Sequence, residues 1–519
     1  MRKHLAIFLV IGLQLLTACK PKATETIKPP SAPPTDQTVS TPSTDRTTSL
    51  STLFDSNLDD LSLFHSGLVE SERATLEQLE DCSTYRIDLT IDHNLQYIDG
   101  WQEVDYTNRE DEPLEEVYFR LYANISGGSA SVSALNVGGT STDPIYELER
   151  SALRVPLPTP LQPGEEIHIE MQFFVDLPLE MSGNYGLFGS FDDIVVMQEL
   201  YPVIPVYDDE GWNIEIPPIY SDITYFDASF YLVRVTAPEN LTLVASGIEV
   251  EHSAQNDLQI ATFAAGPVRD FYIAAAQNYE VTSTSLGETT IYSYAPADYM
   301  PAANATLEIA SEALRGFSKR FGAYPYTELE IIATPMEALG MEYPNTVAIW
   351  VGLYDTEIEI AGLPAAVYLE STLAHEIGHQ WFYNTIGSDQ VDEPWMDEAL
   401  TQYATWMYYV DRYGEESAAG FRDSLVDRWE RVENADIPIG LPAGEYEPRE
   451  YGAIVYGRGP LFLEALAQEL GQETFDTFMR LYFETHKWGI GTAASFRQLA
   501  EQTCACDLSA LFDAWVYPQ

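Results

Sequence analysis

Between Tyr85 and about Asn278 apolar and polar residues alternate. Tyr85, Ile87, Leu89 and Ile91 set the period. Val117, Phe119 and Leu121 repeat it, and so do Ile167, Ile169, Met171 and Phe173. A period of two places every second side chain on one face of a strand, so each run buries one face and wets the other. Turn signals such as Pro163-Gly164 and Ser246-Gly247 separate the runs. The pattern predicts an antiparallel β domain of roughly 200 residues. Helical spacing from Leu53 to Leu79 adds a short leading helix, so that the first domain covers 53–280.

After about residue 280 the period changes. ANATLEIASEALRGFSKRFG is amphipathic, of helix length, and ends at Gly322. TELEIIATP and NTVAIWVGL read as strands. From Pro364 onward the helical period recurs at 364–385, 395–413, 416–434, 458–470, 473–486, 493–503 and 507–516. The second half, 281–519, is therefore expected to be a few strands on a helical body, and no segment repeats another.

The first 52 residues follow neither period. Arg2 and Lys3 precede an apolar run, Leu5 to Leu16, that is short for a membrane span. Leu16-Thr17-Ala18-Cys19 resembles the bacterial lipobox, in which cleavage precedes the cysteine and the cysteine receives lipid. The other reading is an ordinary secretory signal. Either one exports the protein, and lipidation at Cys19 would anchor it to the outer face of the cytoplasmic membrane or the cell surface. Residues 20–52, rich in Pro, Ser and Thr, read as an extended tether. Export permits a disulfide among Cys82, Cys504 and Cys506. A bridge from Cys82 to Cys504 or Cys506 would tie the ends of the folded region together, but the pairing stays open, as do three free thiols.

Charge narrows the partners. Only 26 Lys+Arg stand against 81 Asp+Glu, a formal charge of −55. Such a surface repels phosphate backbones, which excludes nucleic acid.

The chemistry concentrates in LAHEIGHQWF, residues 373–382. On a helix, His375 and His379 project from the same face and reach one ion. Neutral imidazoles suit Zn²⁺, and Glu376 stands beside the open position, where it can take a proton from water. A third ligand is available. Glu398, in DEPWMDEALTQYAT, follows His379 by nineteen residues, room for a short loop and an antiparallel return. Two histidines and a glutamate with one open position make a zinc hydrolase site. The plainer alternative has the histidines on a solvated face and Glu398 as a charge complementing a helix N-terminus.

H-E-x-x-H followed by eighteen residues and Glu resembles the gluzincin metallopeptidases, specifically the aminopeptidase N family. AHEIGHQWFYN and EPWMDEALTQYAT are similar to its zinc helices, and the resemblance runs from about Tyr85 to the C-terminus. It implies an N-terminal antiparallel β-sandwich or saddle followed by a thermolysin-like, mostly helical catalytic domain. It also implies one Zn²⁺ per chain and peptide substrates with a free N-terminus. Gly340-Met341-Glu342-Tyr343-Pro344 resembles the G-x-M-E-N motif, with Tyr343-Pro344 departing from Asn. By that match Gly340, Met341 and Glu342 contact substrate, and Glu342 holds the α-ammonium through charge-assisted hydrogen bonds. Tyr456-Gly457-Arg458-Gly459 resembles the Y-x-K-G segment, which makes Tyr456 the oxyanion stabiliser and leaves Tyr451 to line the pocket. QELYPVIPVYDDEGW is similar to the stretch where the first domain faces the site, so Gln198 or Glu199 would be a second amine anchor. Asp397 stands where Asn commonly precedes the ligand Glu. The sequence closes on LFDAWVYPQ soon after the zinc domain, which implies a cleft more open than in longer members.

The expected activity is a zinc aminopeptidase in which His375, His379 and Glu398 hold the metal, Glu376 moves the proton and Tyr456 steadies the oxyanion. Its rivals are an endopeptidase or small-molecule hydrolase on the same site and, from another class, a peptide-binding lipoprotein with an inactive metal site.

Overall fold

The alternating runs of the first half pair into an eight-stranded sheet. In spatial order its strands are Ile248–Gln255, Leu258–Val268, Ser229–Pro238, Thr84–Ile91, Tyr97–Thr107, Glu166–Asp176, Ser129–Val137 and Thr140–Ser141. All neighbours are antiparallel except Thr84–Ile91 and Ser229–Pro238, which run parallel. A three-stranded sheet of Leu114–Arg120, Ala152–Leu161 and Ile145–Glu147 completes the first layer pair. Its Val117, Phe119, Leu153 and Val155 share one buried cluster with Tyr85, Ile87, Ile169 and Phe173, the alternating positions expected to face inward. The computed structural model describes residues 53–517 except 59, 80, 182 and 183. The signal, the lipobox Cys19 and the 20–52 tether lie outside the described residues. Among the described residues no helix is long and apolar enough to cross a membrane.

A smaller sheet joins the halves. It orders Thr242–Ala245, Ile273–Ala276, Ile194–Met197 and Phe188–Phe191. Its Val196 and Ala274, with Tyr272, form a second buried cluster with Met341, Tyr343 and Ala348 of the second half. The Tyr272 and Tyr343 rings stack there with centroids 3.7 Å apart.

The second half has a five-stranded sheet, Tyr279–Leu286, Thr289–Pro296, Glu328–Thr334, Thr346–Trp350 and Gly340–Met341 in spatial order. Gly340–Met341 is its edge. Nine helices follow among the described residues: α1 (Met300–Arg320), α2 (Ala365–Gly378), α3 (Trp395–Tyr413), α4 (Glu415–Glu430), α5 (Pro448–Ala453), α6 (Gly459–Leu470), α7 (Gln472–His486), α8 (Ala493–Cys504) and α9 (Ser509–Trp515).

Several expectations are corrected. The helix expected over 364–385 ends at Gly378 because tertiary partners take over the backbone beyond it. Tyr383 then takes φ 150°, and the buried Arg269 guanidinium donates to the Asn384 and Thr385 carbonyls at 3.1 and 3.2 Å, which satisfies acceptors of the turn that follows. A helix at 448–453 and a five-residue π turn, Ile454–Arg458, precede α6. The glycines and Pro460 in REYGAIVYGRGP mask the helical period there. The leading segment forms three 3₁₀ stretches rather than an α-helix. It serves both halves, since the Leu53 N–H donates to Glu251 at 3.0 Å while the Val69 N–H donates to the Pro325 carbonyl at 2.9 Å. Cys82 reaches neither distant cysteine. Cys504 bonds Cys506, and the Cys82 thiol is free, buried, and accepts from Arg109 at 3.7 Å.

Candidate active site

Helix α2 ends at the metal motif, the chain turns, and α3 returns against it. His375 Nε2 lies 3.1 Å from His379 Nε2 and 3.1 Å from Glu398 Oε2, and His379 Nε2 lies 3.6 Å from the same carboxylate oxygen. Three acceptor atoms thus converge. A tetrahedral zinc with bonds of about 2.0–2.2 Å requires ligand–ligand edges of about 3.3–3.6 Å, so the triangle would accept that ion by opening two edges by a few tenths of an ångström. Burial pushes the His375 imidazole down to about 4, which keeps it neutral as a ligand must be.

Neighbouring groups set the tautomers. His379 Nδ1 faces a short hydrogen bond to Asp397, with the Phe382 carbonyl at 3.0 Å. Asp397 in turn accepts from Gln390. A carboxylate on Nδ1 leaves Nε2 as the lone pair and raises its basicity, which gives the Asp397 departure a physical role. His375 Nδ1 lies 3.5 Å from the Thr405 hydroxyl oxygen, whose own proton goes to the Thr401 carbonyl at 2.8 Å. Thr405 therefore accepts, and His375 is held in the same tautomer.

Glu376 is 5% exposed, and among the described residues no hydrogen bond reaches its carboxylate. Burial, then the Glu342 charge, push its pKa well above the ordinary carboxylate range, as suits a group that takes and returns a proton. It packs on the edge strand. A Cβ built on Gly340 would sit 2.3 Å from Glu376 Oε1, so only glycine leaves the carboxylate in place. Gly340→Ala should therefore lower turnover about 10- to 100-fold through a displacement of roughly an ångström, with zinc content and melting temperature retained; a fully active variant would show that Glu376 has room to spare.

Met341 and Glu342 line the same cavity, of about 270 Å³, as His375, His379, Glu398, Glu376 and Tyr456. Glu342, Glu376 and His379 each offer an atom within 4.8 Å of the others. The structure separates Gln198 from Glu199. Gln198 is in the cavity wall. Glu199 is a correction: at φ 37° just past its strand it turns inward, 2% exposed, with its carboxyl facing Asp270. The Tyr456 hydroxyl donates to Glu398 Oε1 from the π turn, a geometry that recurs at functional sites. Burial first, then the Glu398 charge, hold its pKa well up, so it stays a donor. Tyr451 is outside the cavity wall and packs behind Tyr456, ring centroids 5.9 Å apart.

Sequence reasoning missed three groups. Asp222 lines the cavity from the stretch before Ser229. Arg428 on α4 is buried, its guanidinium 5.8 Å from the Tyr456 ring. Thr401 and Thr405 share the α3 face with Glu398, a spacing of three to four residues that could have flagged them. Nothing in the local sequence marks Asp222 or Arg428.

Two helices holding a His₂Glu triangle, with a further carboxylate beside it and an open cavity, make a site of the His₂Glu zinc-hydrolase kind. Residues 305–515 match the peptidase family M1 domain. Aminopeptidase 2 of Candida albicans is 22% identical over 312 residues, covering 55% of this chain and 32% of its own length. Aminopeptidase N of Lactococcus lactis subsp. cremoris is 27% identical over 167 residues, covering 30% of this chain and 19% of its own. The chain thus spans about a third or less of these relatives. An M1 zinc metallopeptidase of Deinococcus radiodurans, solved as a mutant with a Tyr-Ser-Ala substrate, superimposes with a TM-score of 0.63 at 20% identity, covering 84% of this chain and 94% of that one. The two-part architecture expected from the resemblance is therefore the observed fold.

Proposed function

We propose that the protein is a zinc aminopeptidase that removes N-terminal residues from peptides. One observation carries the reading: the Glu342 carboxylate stands within 4.8 Å of Glu376 and His379. An anion that close to the reacting position accepts a substrate ammonium and places the first peptide bond, rather than a later one, at the metal.

Zinc, when bound, supplies Lewis acidity and makes water a nucleophile at neutral pH. The chain supplies the rest. His375, His379 and Glu398 hold the ion. Glu376 accepts the proton of the attacking water and returns it to the leaving amine. The Tyr456 hydroxyl, beside Glu398, donates to the oxygen that gains charge. Gly340–Met341 presents a free sheet edge along the cleft, against which an extended peptide can lie. The peptide and L-arginine named with solved M1 zinc metallopeptidases support ligands of this class.

The test is a panel of fluorogenic aminoacyl substrates with and without a chelator, beside an N-acetylated twin. Free-amine substrates should be cleaved and the chelator should stop the reaction. Equal cleavage of the blocked twin would make the protein an endopeptidase, and a protein without zinc after mild purification would make it a binding protein.

Export and a lipid anchor at Cys19 complete the proposal, supported by the basic residues, apolar run and Leu-Thr-Ala-Cys at the start of the sequence. Cys19→Ala should move the protein from the membrane to the soluble fraction of a bacterial host; unchanged membrane retention would count against the anchor.

A further inference from the structure

The amine site has a feature that the family motif does not supply. We propose that Asp222 is a second carboxylate for the substrate ammonium, standing in for Gln198. The proposal rests on the aminopeptidase reading and adds a residue to it.

Gln198 is in the cavity wall, but its acceptor is shared. Its Oε1 receives the Tyr343 hydroxyl at 3.0 Å. Tyr343 cannot swing aside, because its ring is buried and stacked on Tyr272 at 3.7 Å. Tyr343 is the residue that departs from the motif's Asn. The same departure therefore occupies one of the two lone pairs with which the amide oxygen could serve the amine.

Asp222 fills the gap. One of its carboxyl oxygens lies within 4.8 Å of an oxygen of Glu342 and an oxygen of Asp397, and Glu398 is the charge that bears on it most. Its neighbours are committed elsewhere. Asp397 is taken by His379 and Gln390, and Glu398 by the imidazoles and Tyr456. Glu342 takes one long contact, from Gln390 Nε2 at 3.5 Å, and Asp222 lies within hydrogen-bond reach of Glu398, so each keeps acceptor capacity toward the cavity. Among the described residues no N–H donates to Asp222, and no Lys or Arg lines the cavity. Burial and neighbouring charges push both groups toward the protonated form; a primary ammonium between them, with three donors, favours both as anions.

The stretch that carries Asp222 is braced for the task. The Tyr220 hydroxyl donates to the Tyr446 carbonyl at 2.6 Å, the Tyr122 hydroxyl to the Ile223 carbonyl at 2.8 Å, and the Thr224 N–H to Gln390 Oε1 at 2.8 Å. Gln390 thus ties the backbone beside Asp222 to the carboxylate that orients His379. The position of Asp222 is set by the same network that sets the metal ligand, which is how a binding group is kept in register with the reacting atoms.

The experiment compares the zinc-loaded full chain with Asp222→Asn and Asp222→Glu. Alanyl, leucyl and arginyl substrates give kcat and KM, and calorimetry gives the affinities of leucinamide and its des-amino analogue 4-methylpentanamide. Asp222→Asn should raise KM about 10- to 100-fold for all three substrates alike, with kcat within a few-fold and zinc content unchanged. The advantage of leucinamide over the des-amino analogue should shrink by the same factor, and Asp222→Glu should restore part of it. Unchanged KM in the asparagine variant, a loss confined to the arginyl substrate, or loss of zinc would each overturn the assignment. An inactive wild-type chain would instead overturn the aminopeptidase reading. Should the asparagine variant not fold, the glutamate variant decides by the same two readouts: a des-amino difference equal to the wild type's would sink the proposal.

Discussion

Glu376→Gln is expected to keep fold and zinc and to lose about 10³- to 10⁴-fold in kcat. The substitution keeps the shape that Gly340 accommodates, and the residue is not a metal ligand. No hydrogen bond in the described structure depends on its carboxylate, so the amide orphans no partner. What disappears is the capacity to accept a proton. The amide also relieves a burial cost. Burial and then Glu342 hold the Glu376 pKa well above its ordinary value. The folded state therefore binds this proton more tightly than the unfolded state, and stability falls as pH rises from the ordinary value toward the raised one. A neutral amide escapes that loss, so the melting temperature at neutral pH should match or exceed that of the wild type. Turnover, zinc content and thermal melting on one preparation decide the matter: full turnover removes Glu376 from the proton path, whereas loss of zinc would show that it supports the ligands.

The zinc triangle was legible because its constraint is local and geometric. His375 and His379 share a helix face by spacing alone, and a loop of ordinary length brings Glu398 back. Strand and helix positions were legible where burial follows one period, as at Ile167 to Phe173 or along 395–413. They were not where tertiary partners override the backbone. Arg269, more than a hundred residues upstream, holds the Asn384 and Thr385 carbonyls in the turn that follows α2. The π turn that aims Tyr456 hides behind Gly457 and Gly459, and the 3₁₀ stretches after Leu53 carry the apolar spacing of a helix without its length. The cysteine pairing failed for a related reason. Nearness of the chain ends does not bring Cys82 to the surface where Cys504 and Cys506 lie; Arg109 covers its thiol instead. Asp222 is the sharpest case. Its setting depends on Tyr343, Gln390 and Glu342, which only the folded chain assembles, so no window of sequence contains the signal.

His379→Ala should abolish both metal retention and activity, and it should destabilise the protein more than any other change at the site. Three losses coincide. The ion loses one of three ligands. Asp397, 0% exposed, loses the imidazole that pairs with it, leaving an uncompensated buried carboxylate; breaking such a pair costs about 3–5 kcal/mol. Gln390 then donates to an acid that has no reason to stay ionised, and through the Thr224 N–H the disturbance reaches the stretch carrying Asp222. His375→Ala removes a ligand too, and like His379→Ala it takes one imidazole from Glu398, but its Nδ1 partner is only the Thr405 hydroxyl at 3.5 Å, so Asp397 keeps its pair. The pair therefore separates ligation from packing: both variants should lack zinc and activity, while only His379→Ala should melt well below the wild-type protein stripped of metal by chelator. Combining it with Asp397→Asn should recover much of the lost stability and none of the zinc. Equal melting of the two alanine variants would mean that Asp397 is neutral in the folded protein and that its contact with His379 orients the ring without carrying charge.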